Sequence, residues 1–216
     1  MSGAKTLHFL IVDAHPLFIR GLAALIESSQ GYKVVAEAST PADAEALAMK
    51  EKPDIAIVEL NMGNEGSMDL IPRLKAQNPD IAILVLSMYD ERYYAERVLR
   101  LGARGYIMKT EPADKVLDAV RTIASGNVYL SDAERERMAK AVPGETIPAR
   151  KLSDRELQIF SCLGKGLGTI EIAQKFNLSA KTIDTHKEHI KLKLRCNSSR
   201  ELRRLAIEWS NHPGEP

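Results

Sequence analysis

The sequence predicts an α/β domain with a doubly wound, five-stranded parallel sheet, followed by a smaller all-α domain of four helices. Over the first ~125 residues, short aliphatic runs alternate with longer stretches whose apolar residues have helical spacing. A run that is apolar throughout, such as residues 81–86, is typical of a strand covered on both faces. Parallel neighbours need crossover connections, so the five alternations predict a sheet flanked by helices.

The aliphatic runs and the stretches between them define the elements of this sheet domain. The predicted strands are residues 8–12, 33–37, 55–60, 81–86 and 105–108. The predicted helices are residues 16–29, 41–50, 68–77, 91–101 and 112–125. We expect the strand order of flavodoxin-like sheets, in which binding residues gather at the carboxyl ends of the strands.

The pattern changes after residue 130. We therefore divide the chain into a sheet domain of residues 1–130, a linker of residues 131–150 and a helical domain of residues 151–216. A short charged helix is predicted over residues 132–141, and Pro143, Gly144 and Pro148 then break the chain.

After the linker, the spacing of apolar residues predicts helices only. Ser153 and Glu156 form a capping box that opens the first helix. A short second helix is predicted over residues 169–176 and a third, capped by Ser179, to about residue 194. Ser198 with Glu201 is a further capping box, for a last helix that ends at residue 209. The second and third helices have the helix-turn-helix arrangement, which places the later helix in the major groove of DNA.

The charge is distributed unevenly between the two domains. Residues 151–209 hold 12 Lys and Arg against 7 Asp and Glu, whereas the rest of the chain holds 18 against 22. A basic small domain attached to an acidic larger one suggests that the small domain meets a polyanion.

Several classes of protein are disfavoured by the composition. The longest aliphatic run has 6 residues, far fewer than the ~20 of a membrane span, and no signal-peptide core is present, so we expect a cytoplasmic protein. Cys162 and Cys196 are interpreted as free thiols. Because the histidines lack a metal-ligand spacing and the strand ends lack a nucleophile–base pair, we expect no metal, no cofactor and no enzymatic activity.

Four chemically active side chains stand at the predicted strand ends. They are Asp13, Glu59, Ser87 and Lys109. Polar residues occur wherever strands meet solvent, but two carboxylates, a hydroxyl and an ammonium at one edge form a more specific pattern. We expect them to converge on one cleft.

The segments that carry these residues resemble the receiver domain of two-component response regulators, and the whole chain is similar to the NarL/LuxR-type subfamily. They are FLIVDAHPLF at residues 9–18, PDIAIVELNM at 53–62, VLS at 85–87 and GARGYIMK at 102–109. The resemblance implies that position 59 accepts phosphate from a histidine kinase and that two acidic residues after the first strand hold magnesium. It also implies that Ser87 and Lys109 contact the phosphate, and that Tyr106 is the aromatic residue that moves with the Ser87 hydroxyl.

Three positions depart from the family pattern. The acceptor position is Glu59 rather than aspartate, the second acidic position is Ala14, and Gly63 replaces the usual proline. Magnesium requires near-octahedral oxygen ligands, and phosphoryl transfer depends on positioning and charge neutralisation. We therefore predict that phosphorylation does not switch this receiver.

The role of Glu59 stays open at this point. In one interpretation its carboxylate contacts Lys109 and Ser87 in place of phosphate and holds an active-like arrangement. In another it is a relic in a dimerisation scaffold. An engineered substitution is a third, which the accompanying Ala14 and Gly63 disfavour.

Residues 152–194 resemble the LuxR-type DNA-binding domain. The candidates for phosphate contact are the amides near Ser179 and the side chains of Lys181, Thr182, His186, Lys187 and Lys191. Asp184, Thr185 and Glu188 lie on the predicted exposed face, where the family reads bases, and an acidic side chain can accept from cytosine N4 or orient a lysine. A merely solvated helix face is the alternative. Ile170 stands where the family often has a basic residue.

Two functions follow from these expectations. The first is a transcription regulator that binds double-stranded DNA as a homodimer, through the last helix and on an inverted repeat. The second is an interaction protein whose receiver surface binds a kinase or another regulator and whose DNA affinity is weak.

Overall fold

The computed structural model describes residues 6–62, 65–140 and 151–211. The chain separates into two compact units, Met1–Glu136 and Arg137–Pro216. None of the helices within the described ranges is long and apolar enough to cross a bilayer.

The first unit contains a five-stranded parallel sheet in the order β2-β1-β3-β6-β7. The strands of the unit are β1 (Leu7–Val12), β2 (Tyr32–Ala38), β3 (Ile55–Val58), β4 (Asn61–Met62), β5 (Glu65–Gly66), β6 (Ala82–Ser87) and β7 (Gly105–Met108). The predicted sheet and its flavodoxin-like order are confirmed. Every residue of β3 and β6 is buried, which explains why these two runs are apolar throughout.

The third predicted strand was too long by two residues. It was expected to end at Leu60, but β3 ends at Val58, and the chain then turns into the small antiparallel hairpin of β4 and β5. The hydroxyl of Ser67 donates to the backbone carbonyl of Glu59 and attaches the returning chain to the end of β3. Glu59 directly follows the carboxyl end of β3, and its amide still donates to the Val12 carbonyl of β1 at 2.9 Å. Gly63 lies outside the described residues.

Five helices flank the sheet close to their predicted positions. They are α1 (Pro16–Glu27), α2 (Pro41–Glu51), α3 (Leu70–Gln77), α4 (Glu91–Arg100) and α5 (Ala113–Ala124). Prolines open α1 and α2, where their missing amide hydrogen costs nothing. Thr40 and Asp90 cap α2 and α4 by accepting from Asp43 and Arg92 amides, each at 3.1 Å.

One core cluster lies between the sheet and the α1–α5 side. Phe9, Ile57 and Leu84 from the central strands are at most 1% exposed, and they pack in one cluster with Ile26 of α1 and Val120 of α5. Burial of this apolar area stabilises the unit. The strand ends above this core are consequently held in fixed positions.

The beginning of the predicted linker is part of the first unit. Tyr129 pairs with β7, because the Tyr106 amide donates to its carbonyl at 3.1 Å. The helix α6 (Asp132–Lys140) follows, as predicted, and its capping residue Ser131 donates its amide to the carboxylate of Glu91 at 2.9 Å. Burial raises the pKa of Glu91, although the bond from Ser131 opposes the shift. The predicted break at Pro143, Gly144 and Pro148 lies outside the described residues.

The second unit consists of helices within its described part. They are α7 (Asp154–Gly164), α8 (Thr169–Phe176), α9 (Ala180–Leu194) and α10 (Ser199–Asn211). Their core contains Phe160, Ile183 and Leu202, which are fully buried. The turn between α8 and α9 uses Asn177 in the left-handed region, with φ at 51°.

One capping box is confirmed and the other differs from the prediction. Ser153 accepts from the Glu156 amide at 3.4 Å, and the Glu156 carboxylate accepts from the Ser153 amide at 2.7 Å. Ser198 accepts from the Glu201 amide as predicted, but the Glu201 carboxylate accepts from the Asn197 amide instead, at 2.7 Å. The last helix also continues two residues beyond Trp209, to Asn211.

Candidate functional site

The ends of β1, β3, β6 and β7 bring the four predicted side chains into one buried pocket. The Lys109 ammonium lies 2.8 Å from Glu59 Oε2 and also contacts Asp13 Oδ2. The Ser87 hydroxyl donates to Glu59 Oε1 at 2.5 Å. The side chains of Lys109, Asp13 and Glu59 are only 6%, 3% and 2% exposed. The buried carboxylates of Asp13 and Glu59 are therefore compensated by ion pairs with Lys109 and by hydrogen bonds, as buried charges require.

Glu59 engages the two groups that the resemblance assigns to the phosphate. Its Oε2 faces the Lys109 ammonium, and its Oε1 accepts from the Ser87 hydroxyl. The same Oε1 accepts from the Asn61 amide at 2.9 Å. A carboxylate can take all these contacts because its two oxygens offer about four acceptor positions. The Glu59 carboxylate therefore occupies the position between Lys109 and Ser87.

The residues present do not fit the magnesium site that the resemblance implies. Asp13 Oδ1 accepts from the His15 amide at 2.9 Å and lies 3.0 Å from the His15 ring nitrogen, while Oδ2 contacts Lys109. Ala14 contributes no side-chain oxygen, and Glu59 is already paired with Lys109. A divalent cation would have to displace the Lys109 ammonium from both carboxylates.

A chain of hydrogen bonds connects Glu59 with Tyr106. The Tyr89 amide donates to the Ser87 hydroxyl oxygen at 3.2 Å, and the Tyr106 hydroxyl donates to the Tyr89 carbonyl at 2.8 Å. Burial raises the pKa of Tyr106 well above its usual range, so the phenol remains a donor. The Tyr89 ring stacks on Tyr94 of α4, with ring centroids 5.0 Å apart. The state of Ser87 is thus linked to the aromatic side chains beside α4.

Sequence reasoning missed three contributors to this pocket: His15, Asn61 and Tyr89. Each lies two residues after a predicted site residue (Asp13, Glu59 or Ser87) and acts mainly through its backbone. Their spacing from Asp13, Glu59 and Ser87 was visible in the sequence, but any residue type can supply an amide. No side-chain pattern could therefore have identified them.

The predicted recognition helix α9 has the two faces that its sequence implied. Ile183 and Ile190 are fully buried against the rest of the unit. Lys181, Asp184, Thr185 and Glu188 are exposed. The hydroxyl of Ser179 accepts from the Thr182 amide at 3.0 Å and is paired with the Thr182 hydroxyl, so both residues cap the helix start.

Acidic residues of α9 hold two of its lysines. The Lys187 ammonium lies 3.1 Å from Asp184 and 3.0 Å from the Thr169 hydroxyl of α8. Lys191 lies 2.7 Å from Glu188. These ion pairs are partly exposed, so each contributes little energy but restricts where the lysine points. The acidic side chains thus orient the lysines, one of the two roles that their chemistry allowed.

His186 differs electrically from the lysines around it. Burial lowers the pKa of His186 below its usual value of 6.5, despite the opposing effect of Glu156. At neutral pH the ring is therefore uncharged. It can offer a hydrogen bond to a phosphate, but it adds no positive charge to the helix.

An ion pair between an exposed lysine and a buried carboxylate joins α9 to α7. The Lys193 ammonium lies 2.6 Å from the carboxylate of Glu156, whose side chain is 4% exposed. Burial alone would raise the pKa of Glu156, but the hydrogen bonds from Lys193 and Ser153 outweigh this effect and hold it below its usual range. Sequence analysis identified Glu156 as a capping residue only. Its second partner lies 37 residues away and was not predictable from local spacing.

We expect Glu156→Gln to destabilise the second unit by about 1 kcal/mol at neutral pH, because it removes a charge-assisted bond to a buried carboxylate, while the exposed Lys193 ammonium stays solvated. A carboxyl group whose pKa is lowered by folding stabilises the folded state at pH values above its usual pKa of 4.5. This stabilisation is lost as the pH falls through the folded-state pKa. The wild type should therefore lose stability below about pH 4.5 more steeply than the variant. Trp209, the single tryptophan, reports this unit in denaturant titrations.

Glu171→Gln is the matched control for this prediction. Glu171 also accepts from an amide three residues before it, that of Gly168 at 2.7 Å, but it is exposed. Glu171→Gln should lower the free energy of unfolding by well under half as much as Glu156→Gln, since exposed polar contacts contribute little. Equal losses for the two variants would show that capping, and not the Lys193 pair, carries the effect.

Comparisons with known proteins agree with this architecture. A family model described as "Response regulator receiver domain" matches residues 9–121, and one described as "Bacterial regulatory proteins, luxR family" matches residues 150–206. The chain is 33% identical over 208 residues to the oxygen regulatory protein NreC of Staphylococcus carnosus (strain TM300), which covers 92% of this chain and 96% of that protein.

Solved structures of RcsB have the same fold over almost the whole chain. RcsB from Salmonella enterica serovar Typhimurium, bound to the promoter rprA in the presence of phosphomimetic BeF3-, is 23% identical with a TM-score of 0.63 and covers 94% of this chain and 99% of its own. A structure of two RcsB dimers bound to two parallel DNAs is 24% identical with a TM-score of 0.59, covering 93% and 97%. Taken with the family matches and the relationship to NreC, these findings show that the chain belongs to the NarL/LuxR-type response regulators, DNA-binding transcription regulators that join a receiver domain to a helix-turn-helix domain.

Proposed function

We propose that this response regulator controls transcription without being switched by phosphorylation of its receiver. The observation that carries the proposal is the contact set of Glu59, whose carboxylate engages both Lys109 and Ser87. A phosphoryl group would need those same two partners, together with a magnesium site for which residue 14 provides no side-chain oxygen. The receiver pocket is thus already filled by one of its own side chains.

Of the three interpretations of Glu59, the active-like lock has the strongest physical support. The Ser87 hydroxyl is held by Glu59, and the Tyr106 hydroxyl is held inward by the Tyr89 carbonyl. Ser87 and Tyr106 are the two residues that the resemblance assigns to the switch, and both are held in place by contacts that begin at the Glu59 carboxylate. Because a carboxylate has one negative charge and a phosphoryl group nearly two, the lock imitates phosphate incompletely.

We propose that α9 enters the major groove of double-stranded DNA. The phosphates would be contacted by the backbone amides near Ser179 and by the side chains of Lys181, Thr182, His186, Lys187 and Lys191. The bases would be faced by Asp184, Thr185 and Glu188. The exposed positions of Lys181, Asp184, Thr185 and Glu188 support this assignment. Since RcsB was solved as dimers on DNA, we also propose a homodimer, with α10 as the pairing helix and an inverted repeat as the target.

Phosphodonor treatment tests the proposal directly. The full-length protein is incubated with Mg²⁺ and either acetyl phosphate or beryllofluoride, and intact mass, oligomeric state and footprints on genomic fragments are compared with untreated protein. We expect unchanged mass and identical footprints, because Glu59 stays bound to Lys109. A stable acyl phosphate, or a footprint that appears only after treatment, would contradict the proposal.

A second candidate function is supported by the ion pairs of α9. Asp184 and Glu188 partly neutralise the lysines that would bind phosphate, which is compatible with an interaction protein that binds DNA weakly and a protein partner tightly. Recovery of discrete genomic sites at physiological ionic strength would favour the transcription regulator. Weak, sequence-independent binding together with a tight protein partner would favour the interaction protein. In both cases we propose a cytoplasmic protein without enzymatic activity.

A further inference from the structure

Thr185 lies in the middle of the exposed face of α9. It follows Lys181 by one turn and precedes Glu188 by one turn, and all three residues are exposed. The opposite side of the helix is buried and is formed by Ile183 and Ile190. In helix-turn-helix proteins the residues near the start of the recognition helix contact the edges of the bases. A duplex bound along this face would therefore meet the Thr185 side chain.

The hydroxyl group of Thr185 is turned toward the backbone of its own helix. It donates to the Lys181 carbonyl at 3.0 Å, a contact that serine and threonine often make inside helices. A hydroxyl group has one hydrogen, so in this arrangement it does not donate to a base. Thr185 consequently presents its methyl group to a partner, together with the remaining lone pairs of the hydroxyl oxygen.

The acidic neighbours of Thr185 restrict which bases fit beside it. The Asp184 carboxylate lies 3.1 Å from the Lys187 ammonium. The Glu188 carboxylate lies 2.7 Å from the Lys191 ammonium. Carboxylates attract amino groups and repel acceptor atoms, and in the major groove guanine presents two acceptors, whereas adenine presents an amino group. An A·T pair supplies both this amino group and an apolar group, the C5-methyl of thymine.

We propose that Thr185 selects thymine, by packing its methyl group against the C5-methyl group of one thymine in each half-site of the target. The inference rests on the proposed entry of α9 into the major groove, and it names the base that this helix reads. The contact contributes what the burial of one methyl group contributes, which is about fourfold in affinity.

Removing single methyl groups from the DNA tests the inference on the full-length protein. The protein first selects its preferred duplex from a random-sequence library. That duplex is then remade with deoxyuridine in place of each thymidine in turn, because deoxyuridine differs from thymidine only by the missing methyl group. In mobility-shift titrations we expect one position in each half-site at which deoxyuridine weakens binding about fourfold.

Three substitutions in α9 assign this preference to one chemical group. Thr185→Ser removes the methyl group and keeps the hydroxyl, so it should bind the thymidine duplex about fourfold more weakly and lose the preference for thymidine. Thr185→Val removes the hydroxyl and keeps the methyl group, so the preference should remain. Leu192→Ala is the matched control, because it shortens a 77% exposed apolar side chain near the other end of the same helix, and it should also keep the preference.

Three results would overturn the inference and leave the proposed DNA binding intact. The first is sequence-specific binding in which no thymidine is sensitive to the loss of its methyl group. The second is a preference that Thr185→Val loses and Thr185→Ser keeps, which would assign the reading to the hydroxyl oxygen. The third is a preference that persists in Thr185→Ser, which would assign it to another residue or to DNA shape. A protein that binds no duplex would contradict the proposed function and this inference with it.

Discussion

Replacing both Glu59 and Ala14 by aspartate should convert the receiver into one that accepts a phosphoryl group. Shortening the side chain at position 59 by one methylene withdraws its carboxylate from Ser87 and Lys109, which Glu59 now contacts at 2.5 Å and 2.8 Å. The new carboxylate at position 14 supplies the second acidic ligand beside Asp13. With acetyl phosphate and Mg²⁺, we expect phosphorylation at least about 100-fold faster than in the wild type, since misplaced groups cost rates of this order.

The single variants separate the two causes. Glu59→Asp alone frees the phosphate position but leaves the metal with one acidic residue after β1, so it should gain little. Ala14→Asp alone keeps the Glu59 carboxylate between Lys109 and Ser87 and should remain unmodified. Intact mass spectrometry with and without Mg²⁺ measures all four proteins. If the double variant also stays unmodified while retaining its fold, the pocket has lost more than these two groups.

Reversing the charge of Lys181 should produce the largest loss of DNA binding from a single surface substitution. Lys181 is exposed in the first turn of α9, where the helix would meet the phosphate backbone. Lys181→Glu replaces attraction by repulsion, and we expect affinity for every duplex to fall about 10- to 100-fold at moderate salt, with the salt dependence reduced by about one phosphate contact. Electrophoretic mobility shifts at several salt concentrations measure both quantities.

Lys165→Glu is the control for this experiment. Lys165 is exposed and caps the end of α7, so the variant has the same net charge but leaves α8 and α9 unchanged. It should change the affinity by no more than a few fold. Comparable losses in the two variants would mean that overall charge, rather than the start of α9, controls binding. A Lys181→Glu protein that binds as the wild type does would exclude this face from the interface.

Most of the architecture was predictable because it depends on local periodicity. The apolar runs identify five strands. The confirmed order β2-β1-β3-β6-β7 was expected from the resemblance to receiver domains, because parallel connections alone allow more than one order. The hairpin of β4 and β5 was missed because its strands have two residues each, too few for a periodic signal. The Glu201 carboxylate, at the start of the last helix, accepts from the Asn197 amide instead of the Ser198 amide. The local backbone geometry of the turn determines which amide it reaches.

The candidate site divides in the same way. From residue types and strand ends alone, one could expect Glu59 near Lys109 and Ser87, and an exposed face on α9, because parallel strands end at one edge and helices repeat every 3.6 residues. Tertiary packing decided that Tyr106 donates to the Tyr89 carbonyl, that Lys187 is held by Thr169 of α8, and that Lys193 pairs with buried Glu156. Which side chains of different elements meet depends on how those elements pack. Sequence periodicity describes each element separately and does not give the distances between elements.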